Sequence, residues 1–62
     1  MAQRLKLGTD YLRDDDGNIV ICDQITLSDD NKTAVGYVNV NGIQQKVFEL
    51  RGINVTPIVE DV

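Results

Sequence analysis

The sequence predicts an all-β fold: a small, strongly bent, open barrel of five strands with little or no N-terminal helix. Apolar residues alternate with polar ones or form short β-branched runs, and helical periodicity is weak throughout. Glycine, asparagine and aspartate separate these runs, as is typical of turns. Apolar residues on both faces of bent strands favour a barrel over a flat sheet. The 62 residues are expected to form one domain, residues 1–62.

The five strands are expected at residues 4–12, 19–27, 33–40, 43–50 and 53–59. Gly8 marks a break in the first strand, and Gly36 marks a kink in the third. Asp23 interrupts the apolar pattern of the second strand, which indicates a bend or bulge there. Pro57 cannot donate a ladder hydrogen bond, so the last strand is expected at a sheet edge. Within the second strand, alternation predicts one face formed by Ile19, Ile21, Ile25 and Leu27.

The dipeptide Asn41-Gly42 is the strongest local signal in the chain. It is typical of a two-residue type I′ hairpin turn, because both central residues of that turn need a positive φ. The third and fourth strands are therefore expected to form a hairpin. The predicted pairs are Val40 with Ile43 and Val38 with Gln45.

The acidic segment at residues 14–18, Asp-Asp-Asp-Gly-Asn, is interpreted as a solvated hairpin turn in which Gly17 or Asn18 has a positive φ. Oxygen-rich turns also bind Ca²⁺. The EF-hand spacing fails here, because placing Gly17 sixth puts Leu12 first and Asp23 last, and no glutamate closes the loop. The prediction is therefore that the chain has no metal site and no cofactor.

The chain is too short to bury a large core. A domain of this size buries about 60% of the surface that its unfolded chain exposes. Small folds of this kind commonly depend on a disulfide, a metal or association. Cys22 is the only cysteine and histidine is absent, which excludes an internal disulfide and a Cys/His zinc site. Association with other copies is the remaining common route, so a homo-oligomer is predicted.

Charge and composition narrow the functional classes. The net charge of −4 argues against broad non-specific binding to nucleic acid, although a local basic spot remains compatible with it. No apolar run approaches the ~20 residues that cross a membrane, and no secretory signal is recognised. A single free cysteine fits the cytoplasm. Cys22 lacks a histidine base and the carboxylates form no convergent set, so the prediction is no enzyme and no catalytic residue.

Residues 48–58 read as a strand, an Arg-Gly turn and a strand. Gly52 supplies a positive φ for a tight reversal. Arg51 has two interpretations. It is either a solvated neighbour of the turn, or it points into a site that recognises an anion or the plane of a base.

Residues 50–58 resemble the second sequence motif of the Sm-like family (Sm and LSm proteins). That motif has an apolar strand, Arg-Gly, two free positions and two spaced aliphatic residues. Residues 25–29 are similar to the end of the family's second strand and the aspartate of its first motif, here Asp29. The positions of the family's stacking residue and asparagine are occupied by Asn31 and Thr33.

The resemblance implies an SH3-like barrel that forms a closed ring of about five to eight copies, in which the fourth strand of one copy pairs with the fifth of the next. It also implies a ligand, uridine-rich single-stranded RNA near the pore. The residues implied to bind RNA are Arg51, Gly52, Asn31 and Thr33. The acidic composition leaves an alternative: a protein-interaction module or nucleic-acid mimic that binds a basic protein surface through Asp10 and residues 14–16.

Overall fold

The computed structural model describes residues 2–62, which form strands, turns and connecting segments. The strands are β1 (Gln3–Leu7), β2 (Asp10–Tyr11), β3 (Gln24–Leu27), β4 (Thr33–Val40), β5 (Ile43–Arg51) and β6 (Pro57–Asp61). They form two three-stranded antiparallel sheets, in the orders β2-β1-β6 and β3-β4-β5. The all-β prediction is confirmed, with six strands in two sheets instead of five strands. Within the described range, no helix is long and apolar enough to cross a membrane.

The expected break at Gly8 is a complete hairpin. Gly8 has a φ of +64°, and Leu7 pairs with Asp10 across the Gly8-Thr9 turn. A positive φ at the first central residue alone is the geometry of a type II′ turn, which favours glycine at that position. The first expected strand is therefore two strands, β1 and β2.

The bend at Asp23 changes which side chains of the second expected strand face the core. Cys22 and Ile25 are both buried although they are three positions apart, and Ile21 is 45% exposed. The prediction that Ile21 and Ile25 share a face is wrong, because the bend breaks the two-residue alternation. Regular pairing is also interrupted, and an isolated bridge between Gln3 and Cys22 connects β1 to the segment that leads into β3.

The Asn41-Gly42 hairpin has the predicted turn and register. The φ angles of the two residues are +53° and +80°, as a type I′ turn requires. This turn joins β4 to β5, the longest antiparallel ladder of the fold. Both predicted pairs are present, Val40 with Ile43 and Val38 with Gln45.

The core lies between the two sheets, and its buried apolar side chains are Leu5, Cys22, Ile25 and Ala34. Phe48 packs against this cluster from β5. A Cβ atom at Gly36 would lie 2.2 Å from the Phe48 ring and 2.7 Å from the Cys22 sulfur. The pairing of β4 with β5 shifts register between Gly36 and Tyr37, which confirms the predicted kink. Glycine is required here because a side chain would overlap the core.

Each sheet has two edge strands, which pair on one side only, and β5 and β6 are two of these four strands. Pro57 opens β6, so its predicted edge position is confirmed. Val62 N donates to Ala2 O at 2.9 Å. Because hydrogen-bonded and non-hydrogen-bonded pairs alternate along an antiparallel ladder, the backbone groups of Val59 and Asp61 point away from β1. The outer side of β6 is therefore able to pair with another strand.

Candidate nucleic-acid interface

The four residues implied by the resemblance lie at one end of the β4–β5 ladder. Thr33 pairs with Arg51 across this ladder. Gly52 follows with a φ of +71°, which confirms the predicted positive φ, and Asn31 precedes Thr33 with a φ of +59°. The fold therefore brings the two separate sequence segments to the same end of the second sheet.

Arg51 has a partner on its own strand. Its side chain is 80% exposed, and its guanidinium Nε donates to Glu49 Oε2. Lys46 Nζ donates to Glu49 Oε1 at 2.8 Å. The hydrogen bond from Lys46 and then that from Arg51 hold the pKa of Glu49 below its ordinary value. Arg51 is therefore an exposed residue in an ion-paired cluster at the end of β5.

A groove of about 510 Å³ lies beside Asn31. One wall consists of residues 30–32 and the other of residues 53–57, the segment that leads into β6. Ile53 N donates to Lys32 O at 3.0 Å, and this bond joins the two walls. Of the four residues implied by the resemblance, Asn31 alone lines the groove.

Ser28 organises the first wall. Its hydroxyl Oγ donates to Asp30 Oδ1 at 2.6 Å and accepts from Thr33 N at 3.0 Å. Lys32 N also donates to Asp30 Oδ1, at 3.0 Å. These hydrogen bonds, that of Ser28 first, lower the pKa of Asp30, so the carboxylate stays charged at neutral pH. These hydrogen bonds fix the conformation of the turn that forms the first wall.

The groove combines neutral polar groups with one anion, Asp30, and one cation, Lys32. Asn31, Asn54 and Thr56 contribute two amides and a hydroxyl. Lys32 forms no salt bridge with any residue of the described chain. Sequence reasoning missed Lys32, Asn54 and Thr56, because only the pairing of two distant loops brings them together. The one available signal was the position of Asn54, which is the second of the two positions of free identity after Arg51-Gly52 in the motif.

The acidic turn is built around Asp14. Its Oδ1 accepts hydrogen bonds from the backbone N–H groups of Asp16 and Asn18, both at 3.0 Å. Gly17 has a φ of +85°, as predicted for this turn. In residues 2–62, no group of three or more histidine, cysteine, aspartate or glutamate side chains is arranged to hold a metal ion. The Asp14 carboxylate therefore stabilises the turn by accepting these two backbone hydrogen bonds.

Cys22 is part of the core. Its side chain is buried, and the desolvation of the thiolate, followed by the nearby charge of Asp23, raises the pKa of the thiol. A buried thiol with a raised pKa is a poor nucleophile. The interpretation of Cys22 as a buried structural residue is confirmed by its burial.

Searches of protein-family models, curated proteins and solved structures give no match to this chain. The resemblance to the Sm-like family therefore depends on the sequence segments at residues 25–29 and 50–58. The structure contributes an all-β fold in which residues 32–33, which follow the first segment, lie beside residues 51–53 of the second.

Proposed function

We propose that this chain is a non-enzymatic Sm-like module that assembles head to tail with copies of itself and binds uridine-rich single-stranded RNA. The observation that carries the proposal is that β5 and β6 are edge strands of different sheets, so each has one side open to pairing. A head-to-tail contact joins two different surfaces of the same chain and forms a ring when the rotation closes. Pairing of β5 from one copy with β6 from the next provides such a contact, in a ring of about five to eight copies.

Exposed apolar side chains gather along these two edges. On β5, Ile43 is 65% exposed and Val47 is 47% exposed. On β6, Ile58 is 49% exposed, and Val62, just after the strand, is 63% exposed. An open strand edge that carries apolar side chains is a ready template for another chain. Pairing with a second copy would remove both the open backbone groups and the apolar surface from water.

An apolar crevice of about 260 Å³ lies beside β5. Its apolar lining consists of Leu12, Val20, Val47, Phe48 and Leu50. All of these except Val47 also pack against the buried cluster, so the crevice is a lateral opening of the core. A strand from a second copy laid along β5 would cover this opening. Assembly would therefore enlarge the core that a single copy has, which supports association as the source of stability.

Charge substitutions at the two edges test the assembly. Val47→Lys and Ile58→Lys place a charge in the proposed contact, and we expect each to shift the protein towards monomer in light scattering after size exclusion. Ile21→Lys is the matched control, because Ile21 is 45% exposed and lies outside β5 and β6. The assembly is wrong if both edge variants retain the mass of the wild type, or if the control dissociates equally.

The RNA part of the proposal is supported by the juxtaposition of Asn31 and Thr33 with Arg51 and Gly52. A ring repeats this end of the ladder in every copy. Several weak contacts to one RNA molecule then raise the overall affinity through effective concentration. We expect labelled oligo(U) to bind the assembled wild type at low salt in fluorescence anisotropy, and to bind monomeric Val47→Lys more weakly. Absence of binding to the wild type at low salt would remove the RNA part.

The buried free thiol of Cys22 fits a cytoplasmic setting for this assembly.

A second candidate function is an acidic module that binds a basic protein surface. Its support is the tip of the acidic turn, where Asp15 and Asp16 are exposed and form no salt bridge within residues 2–62. Asp10 contributes less, because its carboxylate lies 3.5 Å from Arg13. We expect Asp15→Asn with Asp16→Asn to weaken binding to labelled oligolysine, and to make it less salt-dependent. Equal binding by this variant and the wild type would eliminate the candidate.

A further inference from the structure

We infer that the groove between residues 30–32 and 53–57 is a nucleobase site, in which Asn31 and Asn54 contact the base edge and Lys32 contacts the adjoining phosphate. The inference deepens the proposed RNA binding and rests on it. It moves the principal contacts away from Arg51, Gly52 and Thr33 to residues that the groove places together.

The charges of the groove favour a neutral group over a bare anion. Asp30 and Lys32 lie on the same wall and have opposite charges. The Asp30 carboxylate is held by Ser28 Oγ and by the backbone N–H of Lys32, so it remains in place as a negative charge. A free phosphate would meet this charge in the groove. A base in the groove with its phosphate outside, near the Lys32 ammonium, avoids that repulsion.

The polar groups of the groove match the edge of a base. A base edge presents both donors and acceptors. An asparagine amide offers two donors and a carbonyl acceptor, so Asn31 and Asn54 are able to pair with either kind of group. Ile53 and Val55 on the second wall supply apolar surface against which a base face is able to lie. Amides beside an apolar surface are the pairing that single-stranded RNA recognition uses.

The groove is also held in shape before any ligand binds. The bond from Ile53 N to Lys32 O ties its two walls together at 3.0 Å. Pro57, at the far end, is buried at the start of β6. A site whose walls are fixed loses less entropy on binding than a flexible loop does. The backbone bond between the two walls supports selective contact with one nucleotide unit.

Arg51 does not line the groove. Its guanidinium is paired with Glu49, and its side chain points into solvent. Lys32 has no such ion pair within residues 2–62. Lys32 is therefore the cation available to a phosphate beside the groove.

The test is fluorescence anisotropy with labelled oligo(U) and with an abasic oligonucleotide of equal length, which has the phosphates without the bases. We expect Asn54→Ala to weaken oligo(U) binding about five- to tenfold, the loss of one hydrogen-bonded contact. The same variant should leave binding of the abasic probe unchanged. Asn39→Ala, an exposed asparagine on β4 outside the groove, is the matched control and should bind both probes as the wild type does.

Lys32→Ala should weaken binding of both probes by about threefold to tenfold at low salt, with a smaller effect as the salt concentration rises. The groove assignment is overturned if Arg51→Ala abolishes oligo(U) binding while Asn54→Ala and Lys32→Ala bind normally. It is also overturned if Asn54→Ala weakens binding of both probes equally. If the wild type binds neither probe, the proposed RNA function itself fails. The two failures are thus distinguishable.

Discussion

The two sheets are held together in different ways. The sheet β3-β4-β5 is built from neighbouring segments joined by short turns, and its ladder depends on turn geometry and close packing at Gly36. The sheet β2-β1-β6 instead joins the two ends of the chain, with Gln3 paired to Asp61. The comparison separates local contributions to stability from contributions that exist only after the chain ends meet.

A polar cluster crosses the strands of the first sheet. Glu60 Oε1 accepts hydrogen bonds from Arg4 Nε at 3.0 Å and from Tyr11 Oη at 2.8 Å. The Arg4 guanidinium also lies 4.4 Å from the centre of the Tyr11 ring. This cluster connects β1, β2 and β6 through one carboxylate. The first sheet therefore has a pH-sensitive contact that joins all three of its strands.

The largest effect is expected from Gly36→Ala in the second sheet. The added Cβ would overlap the Phe48 ring and the Cys22 sulfur, so the core must shift. Overpacking of this kind lowers the free energy of unfolding by about 3 kcal/mol, which urea denaturation would measure. Combining it with Phe48→Leu should lose less stability than the sum of the two single variants. Strict additivity would show that Gly36 is not limited by this contact.

A smaller effect is expected from Gly42→Ala in the hairpin turn. Gly42 has a φ of +80°, and a side chain in that conformation destabilises the fold by about 1–2 kcal/mol. The midpoint of thermal unfolding should fall. Asn41→Gly serves as the control, because glycine readily adopts the positive φ of that position. Equal losses in both variants would contradict a conformational origin.

Ser28→Ala tests the turn that forms one wall of the groove. The substitution removes the acceptor for Thr33 N and the donor to Asp30, with an expected loss of about 1 kcal/mol. Hydrogen exchange of the Thr33 amide should accelerate, while Ser28→Thr keeps the hydroxyl and should preserve its protection. Unchanged exchange in Ser28→Ala would show that the hydroxyl does not hold the turn.

Glu60→Gln should give the smallest effect, and one confined to a pH window. The hydrogen bond from Tyr11 and then that from Arg4 hold the pKa of Glu60 below its ordinary value of 4.5. A carboxyl whose folded pKa is lowered stabilises the fold above its unfolded pKa, and this contribution disappears as the pH falls through the folded value. The wild type should therefore melt above Glu60→Gln at neutral pH, and the two melting temperatures should converge as the pH falls through the folded pKa of Glu60. A difference in melting temperature that persists at low pH would exclude the charged cluster as its cause.

The difference between the sheets also explains what the sequence was able to predict. The Asn41-Gly42 turn, the Gly36 kink and the edge position of Pro57 follow from rules that act over a few residues, and all three are present. The bend at Asp23 interrupts the alternation of side chains along the second expected strand. Ile21, which alternation places on the same face as the buried Ile25, is therefore exposed.

Long-range contacts were not readable from local pattern. The pairing of β1 with β6 joins residues more than fifty positions apart, and no local signal specifies it. The groove has the same origin, because Lys32 and Asn54 come together only through the bond between the two loops. Sequence motifs therefore pointed to one end of the β4–β5 ladder, while the set of side chains that line the groove depended on the folded structure.

The central claim is that copies of this chain associate through β5 and β6. Native mass spectrometry of the full chain at micromolar concentration tests it most directly. The account predicts one dominant species at a fixed multiple of 6.9 kDa, about five to eight copies, that dissociates when Val47→Lys is introduced. A monomer of 6.9 kDa whose unfolding does not depend on protein concentration would contradict it.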